Sequence, residues 1–253
     1  MNTMFRKIRE LAEKNVNILC QFVPSPVEIP FSESFVYRYA EKNIYQAIIQ
    51  KLARVTSTLN AAVVLMENGF YQEQATLHRV IDEINEDITF LCFGIVKNDI
   101  TELHKNFLEA FYEEEFDKES SLESTQKRPM ISRNKIQAYI NYLEEAGSDP
   151  STGKEASRTV FKANSGFVHA ASPQIMDIYG GSPPRFHMSG MKGTPREAEY
   201  FEEIWNYHYR TLTSFAISAK AFGSNELFEE CEKLVIAMEK TAGKNYAYSE
   251  GKT

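Results

Sequence analysis

Arg158, Lys162, Ser165 and His169 recur every three or four residues through SRTVFKANSGFVH, a spacing that stacks them along one side of a helix. An imidazole exchanges a proton near neutral pH. Guanidinium and ammonium groups bind phosphate oxygens. Such a row therefore offers either acid–base work on a phosphate-bearing ligand or its simple capture. At roughly 100° per residue the four fall in a stripe about 60° wide. Ala156, Val160, Ala163, Phe167, Ala170 and Ala171 form the opposite, apolar face. Phe161 and Val168 border the stripe, and Gly166 admits a close approach by ligand or backbone.

A second row lies in EQATLHRVIDEINEDITFLCF. Leu77, Ile81, Ile84, Ile88 and Leu91 make an apolar face, and Arg79, Glu83 and Glu86 lie opposite. Arg79 and Glu83 stand one helical turn apart and can pair. If the two helices pack side by side, Glu83 or Glu86 orients His169 or pairs with Lys162. The alternative is a set of ordinary surface ion pairs worth about 0–1 kcal/mol each. A third contribution comes from SPQIMDIYGGSPPRFHMSGMKGTP, residues 172–195, which hold four Gly and four Pro and cannot continue a helix. From Ile178 to Arg196 there is no acid, but Arg185, His187, Lys192 and Arg196 are present. That composition suits an anion site with backbone amides near the glycines, or a solvated basic loop that balances an acidic chain.

The remaining histidines read differently. His208 lies on the wheel with Ile204, Trp205, Leu212 and Phe215, as a core histidine with one hydrogen bond. His104, among acidic residues, is expected to be exposed. His78 and Asp82 have the spacing of a two-ligand metal clip but no third ligand at suitable spacing. Phosphate-loop, dinucleotide, zinc-protease and serine-hydrolase motifs are absent, and no cofactor is implied.

The elements that must position these residues are helical. Residues 4–19 form one helix, followed by the proline-punctuated connector PSPVEIP. A long helix is expected over 34–68, stopped by Asn68-Gly69. Others follow over 71–96, 99–117, 132–146 and 154–171, then a long one from Thr194-Pro195 to 222 and a last one from Ser224 to 240. Convincing strands are not read. The fold class is all-α: a bundle of about seven or eight helices with a long Gly/Pro-rich loop near residues 172–195. The chain reads as a single helical domain over 1–253. Within it, 1–33 are an N-terminal helix and proline-rich arm, 34–240 the bundle and 241–253 a frayed tail.

Composition narrows the class. The 43% apolar and 25% charged residues are those of a soluble globular protein. No apolar run reaches the roughly 20 residues of a membrane span, and the charged N-terminus does not resemble a signal peptide. Three scattered cysteines fit a reducing, cytoplasmic setting. A net charge of −7 argues against a general nucleic-acid coat while leaving room for a local basic site.

Two segments, NAAVVLMENGFYQEQATLHRVIDEINEDITFL (60–91) and KANSGFVHAASP (162–173), resemble an uncharacterised bacterial all-helical family. That family joins a Leu-x-Arg-x-x-x-Glu helix to a later Ser-x-x-x-His segment. Arg79 with Glu83, and Ser165 with His169, match it. The arrangement also looks like the HEPN superfamily of helical nucleotide-binding and RNA-cleaving proteins. Lys162 and Ala163 stand where that signature has an arginine and a polar residue. The resemblance implies a bundle with an inter-helical polar site and a toxin–antitoxin or phage-defence context.

Two functional readings follow. One is a non-catalytic binding or interaction module with a polar site for an anionic ligand, a phosphate-containing ligand or RNA. It would associate as a homo-oligomer or with a protein partner through the aromatic YFEEIWNYHY stretch. The other is a metal-independent, HEPN-like ribonuclease or nucleotide-processing enzyme. There His169, Arg79 and Glu83 would be catalytic, and Arg158, Lys162, Ser165, Arg185, His187 and Lys192 would hold the ligand.

Overall fold

The computed structural model describes residues 2–31, 33–114, 122–124, 129–144 and 165–244. It is an all-α bundle. The described helices are α1 (Asn2–Leu19), α2 (Ile44–Glu67), α3 (Tyr71–Val96), α4 (Glu102–Tyr112), α5 (Arg133–Glu144), the short α6 (Ser172–Met176), α7 (Glu197–Ala221) and α8 (Asn225–Ala242). Two small antiparallel hairpins accompany them: β1 (Val27–Phe31) with β2 (Ser34–Arg38), and β3 (Tyr179–Gly180) with β4 (Arg185–Phe186).

The heart of the bundle is α2, α3 and α7, with α1 and α8 packed on it. Leu52, Val55 and Leu59 of α2 meet Ile81, Ile88 and Leu91 of α3. Ile204, Leu212 and Phe215 of α7 and Ile8 and Leu19 of α1 close the cluster. Each such side chain withdrawn from water contributes about 1.5–3 kcal/mol. Of the apolar row of α3 read from the sequence, Ile81, Ile84, Ile88 and Leu91 are buried and Leu77 is half-buried. Only residues 68–70 separate α2 from α3, which forces the two long helices antiparallel. Asn68 caps α2, and Gly69 takes φ +80°, the expected stop.

Three expectations are corrected. The helix expected from residue 34 begins at Ile44, where Asn43 accepts from the Tyr45 and Gln46 amides and Gln46 returns a bond to the Asn43 N–H. Residues 27–38 form a hairpin instead, because V-E-I-P-F and S-F-V-Y-R are rich in β-branched and aromatic residues. His104 is buried rather than exposed. Its Nε2 lies 3.1 Å from the Phe90 carbonyl, Nδ1 meets the Thr101 amide and hydroxyl, and the ring stacks on Phe90 at 4.0 Å. In the aromatic stretch of α7, Tyr200, Trp205 and Tyr207 are buried and Tyr209 is half-buried. His208 is in the core as expected but has two polar partners rather than one: Nδ1 lies 2.8 Å from the Ile204 carbonyl and Nε2 3.2 Å from Arg9 Nη1, and the ring stacks on Phe5.

Among the described residues no helix is long and apolar enough to cross a membrane.

Candidate functional site

From Ser165 the chain makes one described helical turn, 165–168, and stops. The His169 N–H donates to the Ser165 carbonyl at 3.1 Å, the Ala171 N–H returns to Gly166 at 3.0 Å, and Ala170 takes φ +49°. This is a helix C-terminus closed by a left-handed residue. Helix α6 follows, with Pro173 in its first turn where no donor is needed. The sequence YGGSPPRF then folds back on itself. Tyr179 pairs with Phe186 and Gly180 with Arg185, and the His187 N–H donates to the Ile178 carbonyl at 2.8 Å. Paired residues share a sheet face. The Tyr179 and Phe186 rings therefore meet edge-on, 4.8 Å apart, while Arg185 leaves by the other face.

This segment is fastened to the α2–α3 turn through main chain. The Met191 N–H donates to the Gly69 carbonyl at 2.8 Å. A Cβ on Gly69 would lie 2.7 Å from the Met191 nitrogen, and one on Gly190 (φ +97°) would lie 2.6 Å from the Asn68 oxygen. Both positions need glycine. Met191 is buried with Tyr71, Ala75 and Tyr200, and Phe167 and Ile178 pack beside them. The Gln72 side-chain amide donates to the Gln174 carbonyl.

The surface that results is cationic and aromatic. His169, Arg185 and Lys192 are exposed. His187 is half-buried, with Nε2 3.2 Å from the Gly180 carbonyl. Tyr179, Phe186 and Met188 are exposed among them. Asp177 is the sole acid between 165 and 196, and Arg196 holds it at 2.9 Å.

Arg79, Glu83 and Glu86 lie elsewhere in the network of contacts. Glu83 takes Arg79 at 2.6 Å and Arg133 of α5 at 3.7 Å. Glu86 accepts from Gln137 at 3.0 Å and lies 4.0 Å from Arg133, and burial raises its carboxyl pKa. Asp87, buried, binds Lys51 of α2 at 2.6 Å and also Arg133. The acidic row of α3 thus ties α2, α3 and α5 together. Arg158 and Lys162 lie outside the described residues. Ser165 stands one turn before His169 at the segment's start and is half-buried.

On the side of α3 facing α7, His78 stacks on Tyr207 at 3.6 Å. Its Nε2 is 3.2 Å from the Gln74 amide nitrogen and its Nδ1 3.7 Å from Glu203. Burial lowers its pKa, against the opposing pull of Glu203. Asp82, one turn on, binds Arg210 and accepts from the Tyr207 hydroxyl at 3.4 Å. Among the described residues no group of three or more His, Cys, Asp or Glu is arranged to hold a metal ion.

Sequence reasoning missed Tyr179 and Phe186. The signal was present: two glycines, a serine and two prolines flanked by aromatic residues form a tight hairpin. It also missed Asp87, Lys51 and Arg133, for which no local pattern exists. No family model, curated protein or solved structure matches the chain.

Proposed function

We propose that the protein is a binding module for a phosphate-bearing ligand, with single-stranded RNA the class that best suits segment 165–192. One observation carries this: exposed cations and an exposed aromatic pair share a short segment whose only carboxylate is already held by Arg196. Bases stack on aromatic faces at about 1–3 kcal/mol each, whatever their sequence. Arg185 and Lys192 supply the counter-charge to phosphate. In a chain of net charge −7 such a patch stands out as a local attractor. The ion-paired Arg79 and Glu83 belong instead to the network that ties α3 to α5.

Fluorescence anisotropy with a labelled single-stranded oligoribonucleotide tests this. With about three phosphate contacts, affinity should fall roughly twentyfold between 50 and 200 mM salt. Phe186→Ala and Arg185→Glu should each weaken binding about tenfold or more. Equal affinity for wild type and both variants refutes the assignment.

A second reading is favoured by the exposed His169 ring at a helix end with Ser165 one turn behind. It is HEPN-like RNA cleavage, with His169 as general acid or base. Purified protein would then cleave the same oligonucleotide, and His169→Ala would abolish cleavage while sparing binding. Products that persist in His169→Ala exclude that role.

A further inference from the structure

Tyr71, Ala75, Met191 and Tyr200 form a small core of their own, separate from the main one, and it seats segment 165–192 on the bundle. So small a satellite cluster is where a bundle opens first. A polar contact ties its two helices together. The Gln74 side-chain amide nitrogen of α3 lies 3.2 Å from His78 Nε2 and 3.5 Å from the Tyr200 carbonyl of α7. Gln74 and His78 are both fully buried. The Tyr200 ring stacks on Tyr71 with 4.9 Å between centroids.

This contact fixes the proton on His78. The Gln74 nitrogen carries two N–H donors, one for each neighbour. Turning the amide over would set its oxygen against the Tyr200 carbonyl oxygen. His78 Nε2 is therefore the accepting nitrogen, and the ring proton sits on Nδ1. Among the described residues Nδ1 has no hydrogen-bond partner, and half-exposed Glu203 lies 3.7 Å from it. A second proton goes to Nε2 and sets an N–H against the Gln74 amide, donor to donor. Gln74 must then turn away and give up the Tyr200 carbonyl. We propose that Gln74, His78 and Tyr200 form an acid-released latch: proton uptake at His78 frees residues 197–203, the first turns of α7, and with them the seat of segment 165–192, while the main core stays folded. The opened imidazolium has Glu203 beside it as counter-ion. The latch holds whether or not the segment binds RNA.

The strongest charged influences on His78 are Glu203 and Arg210 of α7 and Asp82 of its own helix. Asp82 and Arg210 bind each other, and Tyr207, stacked on the ring, turns its hydroxyl to Asp82. Arg9 of α1 meets α7 at His208 instead. Burial holds the latched imidazole below its ordinary pKa, with Glu203 pulling the other way. The opened ring takes its proton near pH 6.5, so the latch's contribution is complete above about that value and is lost as pH falls. With the latched ring still neutral, the open population rises about eightfold between pH 7 and pH 5.5.

Hydrogen-exchange mass spectrometry of the full chain at those two pH values, corrected for intrinsic exchange, reads the outcome. Peptides covering 172–203 should lose protection about eightfold, while those of α2 and of residues 81–96 stay far better protected at both. His78→Gln, which cannot take the proton, should abolish the response with helical content unchanged, and His208→Gln should keep it. Ring-nitrogen NMR of the wild type, which needs no variant, should find the His78 proton on Nδ1 at pH 7 and a titration midpoint below about 6.5. A proton on Nε2 overturns the proposal, as does exchange of 172–203 and α2 as one unit or a response that survives His78→Gln.

Discussion

Replacing Asp87 by Asn probes the ion-pair network that ties α2, α3 and α5 together. The Asp87 side chain is 2% exposed and binds both Lys51 and Arg133. Arg133 retains Glu83 and Glu86 when that charge is removed. Lys51 does not: among the described residues Asp87 is its one ion-pair partner, and its ammonium is otherwise set over the Phe111 and Phe107 rings at 4.8 and 5.6 Å. Breaking a fully buried pair costs about 3–5 kcal/mol, an exposed one about 0–1 kcal/mol. Lys51 is 17% exposed, and ring contacts return about 1 kcal/mol. The net cost of Asp87→Asn is therefore about 2–3 kcal/mol. In a chain of this length that lowers Tm by about 5–10 °C. Urea unfolding followed by helical circular dichroism gives the free energy. Glu83→Gln, at a carboxylate 38% exposed, should cost less than about 1 kcal/mol. The cycle Asp87→Asn, Lys51→Met and the double variant should show coupling above about 1 kcal/mol. Additive single effects, or Asp87→Asn no worse than Glu83→Gln, would refute the reasoning.

Gly190→Ala and Gly69→Ala should loosen segment 165–196 without melting the bundle: limited proteolysis there rises several-fold while the main thermal transition moves by about 3 °C or less. The His208 imidazole is held down to about 3 by burial, while the unfolded value is about 6.5. The unfolded chain binds the extra proton between those values, so this contribution is complete above about pH 6.5 and is lost as pH falls, about 2 kcal/mol of it by pH 5. Denaturant titrations at pH 7 and pH 5 should show a shallower loss for His208→Gln than for wild type. Burial pushes the Cys92 and Cys231 thiols up to about 12. In native protein at pH 8 both should resist a thiol reagent for hours and react at once in urea.

The helices were legible because each long one carries its own period. Ile81, Ile88 and Leu91 announce the buried side of α3, and Asn68-Gly69 and Ser224 mark ends that the backbone observes. Hairpin Val27–Arg38 was not read because its strands are five residues long, β1 holds Pro30 and β2 runs Phe35-Val36-Tyr37 without alternation. His104 looked exposed among its acidic neighbours in sequence, but its surroundings are Phe90 and Tyr139, supplied by other helices. The cationic character of segment 172–195 could be counted from composition. The partners of Glu83 and Asp87 could not, since Arg133 lies 46 residues from Asp87 along the chain.

The glycine-to-glycine seam between residues 69 and 190 separates where the aromatic tip is carried from what it carries. Main chain grips main chain there, so Tyr179, Arg185 and Phe186 are free to vary while the platform beneath them stays put. Ligand preference in such an arrangement can drift through substitutions at the tip alone, at almost no cost to the bundle that holds it.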